Sequence, residues 1–138
     1  MLFRSRLASA GTLAYDRLVV SPGIDFQFAE VEGFEAAMNG AGLVHAWKAG
    51  PQTVALRRQL EEMRDGGVYA LSVPLAPYRC PPGPYERASQ VASYFKKAKP
   101  RSKVLILDAN PDVTSKGPLF KRAWQDLYKG IEIGRAHV

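Results

Sequence analysis

The run Val104-Leu105-Ile106-Leu107 places four apolar residues in succession, with no polar residue between them. A strand with one wet face alternates apolar and polar positions, so an unbroken run of this kind predicts a strand covered on both faces, as in a parallel sheet. Parallel neighbours must be joined by a crossover, and the chain just upstream supplies one. Val68 to Val73 reads as a strand, and Ala88, Val91, Ala92 and Phe95 recur at helical spacing until Pro100 ends the pattern. Strand 68–73, helix 84–97 and strand 104–107 predict a right-handed βαβ crossover of Rossmann type within an α/β fold.

The remaining elements are read by the same rules. Thr12–Tyr15 and Arg17–Val20 predict two short extended segments closed by Ser21-Pro22-Gly23. Residues 25–50 are rich in Gly, Ala and acidic side chains without a sustained period, which predicts a linker. Pro51 suits the first turn of a helix running to about Arg64, with Leu56, Leu60 and Met63 on one face, and Gly66-Gly67 stops it. A last helix from about Pro118 to Tyr128 carries Leu119, Phe120, Ala123, Trp124, Leu127 and Tyr128 at the core-facing period. No repeat or low-complexity tract appears.

Both termini read as foreign to this pattern. The codons GAG ATC GGA AGA GCA CAC GTC translate to Glu132-Ile133-Gly134-Arg135-Ala136-His137-Val138 and contain the stem of a common sequencing adapter. ATG CTC TTC CGA TCT, which carries the reverse complement of that stem, gives Met1-Leu2-Phe3-Arg4-Ser5. Residues 1–5 and 133–138 are therefore expected to be an adapter scar that contributes no essential core contact, with Glu132 ambiguous. The rest is expected to be an internal piece of a longer protein.

Of the 138 residues, 46% are hydrophobic and 23% charged, ordinary values for a globular protein. No apolar run approaches the ~20 residues of a membrane span. The formal charge of +6 raises a polyanion partner. The pattern of the charges argues against it. Lys96, Lys97, Lys99, Arg101 and Lys103 fall at the end of a predicted helix and in the loop after it, where cations complement the helix dipole. Arg57 and Arg58 neighbour Glu61 and Glu62, as on a solvated helix face. No nucleic-acid partner is expected.

The chemistry concentrates in the turn between the first strand and helix of the crossover. A βαβ unit that binds a pyrophosphate needs a glycine-rich turn here, so that backbone N–H groups approach the phosphates at a helix N-terminus. This chain instead has Pro77-Tyr78-Arg79-Cys80-Pro81-Pro82-Gly83-Pro84-Tyr85-Glu86-Arg87, with four prolines and the only cysteine. Proline removes N–H donors but fixes the backbone, which suits the turn to holding a sulfur rather than a phosphate. A lone cysteine is most often a small buried hydrophobe. Against that stand a helix start and Arg79, both of which stabilise a thiolate. Glu86 in the first turn either caps the helix or exchanges protons with the sulfur or its substrate.

Asp108 follows the second strand, where nucleotide-binding members hold a ribose hydroxyl. Without the glycines, a carboxylate that ends a strand or caps the next loop is the better reading. Asn110-Pro111-Asp112 is turn chemistry. His45 is the only histidine outside the expected scar, so one His and one Cys cannot supply a metal site of ordinary ligand count. Neither Ser21 nor Ser89 sits in a nucleophile elbow. Trp47 and Trp124 read as packing residues.

The stretch Ala76 to Ala92, followed by Ser102-Lys103-Val104-Leu105-Ile106-Leu107-Asp108-Ala109-Asn110-Pro111, resembles the flavoprotein subunit of flavocytochrome c sulfide dehydrogenase. Tyr15-Asp16-Arg17-Leu18-Val19-Val20-Ser21-Pro22-Gly23-Ile24-Asp25 is similar to the segment joining that family's FAD domain to its central domain, and Ala46-Trp47-Lys48-Ala49-Gly50 also fits. The resemblance spans roughly residues 12–132. It implies a glutathione reductase-type flavoenzyme in which the second dinucleotide-binding domain is degenerate and has lost its pyridine nucleotide site.

The implied organisation is an adapter scar at 1–5, the end of the FAD-binding domain with its short β segment at 6–24, a linker at 25–50, a truncated NAD-like central domain at 51–132, and a second scar at 133–138. The resemblance also implies that Cys80 belongs to a redox-active disulfide attacked by sulfide, that Glu86 is an acidic residue near it, and that Ser21, Pro22 and Gly23 touch cofactor. FAD would be bound in the full-length parent, haem c would be carried only by a partner c-type cytochrome subunit, and the location would be periplasmic. Two other readings remain open on the residues alone. An NAD-dependent oxidoreductase domain requires a phosphate-binding turn, and a basic binding module requires a continuous basic face.

Overall fold

The computed structural model describes residues 3–9, 11–40, 42–131 and 133–138. It forms two compact units, Met1–His45 and Ala46–Val138. In the first, β1 (Phe3–Leu7) and β2 (Gly11–Tyr15) form an antiparallel pair in register from Phe3 with Tyr15 to Leu7 with Gly11. Arg17–Val20, expected to be extended as a second strand, carries no regular structure, and Val19 is 88% exposed. Its place beside β2 is taken by β1. The expected linker holds a 3-10 turn at Phe28–Glu30 and a short helix α1 (Phe34–Gly40). Phe26, Phe28, Phe34 and His45 stack on one another there, the closest pair being Phe26 and His45 at 4.3 Å between ring centroids.

The second unit carries the α/β fold. Helix α2 (Pro51–Glu62), strand β3 (Val68–Val73), helix α3 (Gly83–Ala98), strand β4 (Lys103–Asp108), helix α4 (Gly117–Leu127) and strand β5 (Ile133–His137) follow in order. The sheet is parallel with order β3-β4-β5. This is the Rossmann-like unit predicted from the apolar run and the crossover. Proline starts all three helices, at Pro51, Pro84 and Pro118, where its missing N–H costs no hydrogen bond.

Helix α3 packs one stripe into the core. Tyr85, Ala88, Ala92 and Phe95 are fully buried, against Val73, Val104 and Ile106 of the strands. Truncating a buried Phe to Ala typically costs about 3–5 kcal/mol, so Phe95 alone is a large share of the unit's stability. On β4, Val104 and Ile106 are buried but Leu105 and Leu107 are half-buried. The run expected to be covered on both faces is thus covered fully on one.

Basic residues tie the elements together at their ends. Lys99 is buried, and its ammonium donates to the carbonyls of Glu61 (2.7 Å) and Met63, the last acceptors of α2. Lys96 donates to the Leu127 carbonyl at the end of α4 (2.8 Å), and Arg101 pairs with Asp65. The cluster read as solvated surface is therefore partly structural, because helix C-termini need donors.

Residues set aside as scar take part in the fold. Phe3–Ser5 lie in β1, and Ile133–His137 form β5 against β4, in register from Val104 with Ile133 to Asp108 with His137. Ile133 packs against the core cluster and Arg135 ion-pairs with Asp108 at 2.9 Å. Residues 133–138 thus do touch the core, because β4 has an open edge whose N–H and C=O groups bond a following extended segment.

Candidate active site at the Cys80 turn

The turn between β3 and α3 presents Cys80. Its backbone is left-handed, at φ 56°, a conformation L side chains adopt at a cost of roughly 1–2 kcal/mol. The carbonyl of Cys80 accepts the Gly83 N–H at 2.8 Å, which closes the turn. The side chain is a free, exposed thiol, so the reading of a buried hydrophobe fails. Among residues 81–84 only Gly83 has an N–H, and Cys80 uses it. The start of α3 therefore offers little to a phosphate.

Two tyrosines tether this turn to the end of the sheet. The Tyr78 hydroxyl bonds Thr114 Oγ1 at 2.7 Å and donates to the Pro81 carbonyl at 3.3 Å. Tyr85, fully buried, donates to Asp108 Oδ2 at 2.9 Å and accepts from the Thr114 N–H at 3.2 Å. Burial pushes the Tyr78 phenol up to about 12; the Thr114 hydrogen bond opposes this, and Tyr85 and Asp108 add to it. Tyr78 stays a neutral donor at any physiological pH.

Asp108 is closed to a ligand. Its Oδ1 accepts from the Asn110 backbone N–H (2.9 Å) and side-chain amide (2.8 Å), and its Oδ2 accepts from Tyr85 and Arg135. Burial acts to raise its carboxyl, but the hydrogen bonds from Asn110, then Arg135 and Tyr85, outweigh this and hold it below the usual carboxylate range. The carboxylate ends a strand and caps the loop after it.

The other expected site residues fall as follows. Glu86 is exposed in the first turn of α3, its backbone N–H on the Pro82 carbonyl (3.0 Å), and its side chain makes no hydrogen bond with Cys80 among the described residues. Ser21, Pro22 and Gly23 are exposed in the Met1–His45 unit, with Gly23 at φ 79°. Trp124 is half-buried and donates from its indole to Ser89 Oγ at 2.9 Å. Among the described residues no three His, Cys, Asp or Glu side chains gather as a metal set. Sequence reasoning missed Tyr85, although Tyr85, Ala88, Ala92 and Phe95 form one helical stripe. It also missed Tyr78 and Thr114, 36 residues apart.

A parallel α/β unit whose crossover turn exchanges phosphate-binding glycines for prolines and a thiol defines a dinucleotide-type domain rebuilt around a cysteine. Residues 53–137 match the family described as sulfide dehydrogenase (flavocytochrome c) flavoprotein chain, central. The chain belongs to that family.

Proposed function

We propose that Cys80 is one half of a redox-active disulfide that oxidises sulfide in the full-length flavoprotein. The observation that carries this reading is the exposed thiol held in a left-handed turn at the start of α3, in a family named for sulfide dehydrogenase. Its partner cysteine lies elsewhere in the parent protein, since the chain contains one cysteine. Hydrosulfide attacks one sulfur of the disulfide; a new S–S bond forms to it, the old one breaks, and the second cysteine leaves as a thiolate. Glu86, exposed one turn into α3, is suited to take the proton of the incoming sulfide.

The described residues do not build a cradle for FAD phosphates. The start of α3 is filled by Pro81, Pro82 and Pro84, and Asp108 is saturated by protein donors. The FAD of this proposal would be held by another domain of the parent, where it would supply a two-electron acceptor, and a partner c-type cytochrome subunit carrying haem c would supply the onward acceptor. Ser21-Pro22-Gly23 is the segment of this chain assigned to that flavin side, and the setting is periplasmic.

Stopped-flow reduction of the flavin by sulfide in the full-length enzyme tests the proposal. Cys80→Ser is expected to retain FAD but to lose rapid reduction. Reduction at the unsubstituted rate would overturn the assignment.

A further inference from the structure

Gly83, the first residue of α3, is buried, and the space its missing side chain leaves is already used twice. A Cβ built there would lie 2.3 Å from Cη2 and 3.0 Å from Cζ3 of Trp47, and 3.2 Å from the Cys80 sulfur. The first distance is one that carbon atoms do not reach, so only glycine admits the indole. Trp47 and Cys80 thus converge on one point, which brings ring edge and sulfur into the range of a sulfur–aromatic contact, ~5 Å.

The indole is held from behind. The Arg87 guanidinium lies 5.1 Å from the Trp47 ring centroid and donates to the Ala46 carbonyl at 2.9 Å. Ala46 is buried in a left-handed conformation at φ 49°, with its N–H on the Gln52 side chain at 3.3 Å. The residue before Trp47 is thus held on its N–H from α2 and on its carbonyl from α3, and the ring lies against Arg87, which restrains the indole beside the sulfur.

We propose that Trp47 is a positioning residue for Cys80: seated on Gly83 and backed by Arg87, it fixes the thiol at the start of α3 and screens one side of the sulfur from bulky reagents. This rests on the reading of Cys80 as the reacting sulfur. A sulfide-sized nucleophile passes such a screen, whereas a large thiol or an aromatic electrophile meets the indole.

The test uses the 138-residue chain and needs neither sulfide nor flavin, so its failure is separable from failure of the redox reading. Alkylation of Cys80 is timed with iodoacetamide and with N-phenylmaleimide. Trp47→Ala is expected to raise the rate with the aromatic reagent about tenfold more than the rate with the small one, the scale of losing a close ring contact. Trp47→Phe should restore most of the discrimination. A second readout leaves Trp47 intact: in Trp124→Phe, thiomethylation of Cys80 should change Trp47 emission intensity. An unchanged ratio of the two rates in Trp47→Ala, or an emission insensitive to Cys80 modification, would overturn the proposal.

Discussion

Two polar groups sit at corresponding ends of neighbouring elements in the sheet unit, and the fold treats them oppositely. Asp108, at the end of β4, is completely buried and receives four hydrogen bonds. Cys80, in the turn after β3, is exposed and its backbone is strained. The acid that marks a ribose site in nucleotide-binding relatives of this fold has become structural, while the turn that would carry phosphate has become a mount for sulfur. Ligands of a dinucleotide fold bind at the loops outside the carboxyl ends of the strands, so exchanging one turn removes a phosphate site and leaves the sheet unchanged.

After Cys80→Ser, the largest effect that sharpens this contrast concerns Glu86 in the first turn of α3. Glu86→Gln in the full-length enzyme should slow flavin reduction by sulfide by about 10²–10⁴-fold, the usual range for a general acid or base. It should leave the melting temperature nearly unchanged, because the side chain is exposed. Stopped-flow kinetics and thermal melts on one preparation separate the two. A rate near the unsubstituted one would reduce Glu86 to a helix-capping residue.

Asp108→Asn should do the reverse. The amide nitrogen that replaces one carboxylate oxygen faces either the Asn110 donors or those of Tyr85 and Arg135, leaving two buried donors without an acceptor. A loss of about 2–4 kcal/mol in denaturant unfolding is expected. The pH dependence has a defined sign. Since the folded-state value lies below the ordinary carboxylate value of about 3.9, the stabilisation is fully present above that value and is lost as pH falls through the folded value. The gap between Asp108→Asn and the unsubstituted chain should therefore narrow in acid. A gap independent of pH down to the acid unfolding limit would show that the carboxylate charge is not what Asp108 contributes.

The contrast also bears on NAD. With Gly83 donating to Cys80, prolines on either side, and Asp108 saturated, calorimetric titration of the full-length flavoprotein with NADH should give no saturable heat. A micromolar dissociation constant would mean that a phosphate finds donors outside the usual turn.

How far these features were legible follows from the range of the interactions that make them. β3, α3, β4 and α4 were written in apolar period and proline punctuation, which are local, and each lies within a residue or so of its expected bounds. The missing phosphate turn was legible for the same reason. Arg17–Val20 was misread because its apolar character is local but its lack of a partner is not. Thr114 as the link between Tyr78 and Tyr85, and Trp47 on Gly83, join residues about 30 or more positions apart, and single-sequence pattern carries no record of such pairs. The clearest departure is β5. Its residues read as a scar, yet an unpaired parallel edge accepts an extended segment of suitable length, because main-chain hydrogen bonds read backbone rather than side-chain identity.

That point gives the smallest predicted effect and the most direct probe of β5. Among the described residues of the expected scar, Arg135, its side chain 19% exposed, is the one that bonds the Asp108 carboxylate, while the Val138 N–H donates to the Asp108 carbonyl at 3.0 Å. Arg135→Gln removes one of four donors and leaves Asn110 and Tyr85 in place, so the carboxylate remains hydrogen-bonded. A loss of about 1 kcal/mol is expected, the scale of one charge-assisted hydrogen bond, and well below that of Asp108→Asn. Because the guanidinium bonds Asp108 but also donates to the Asn110 and Pro111 carbonyls, the double variant should lose more than Asp108→Asn alone and less than the sum of the two single losses. Fully additive losses would mean that Arg135 stabilises the unit through the Asn110 and Pro111 carbonyls and not through the Asp108 carboxylate.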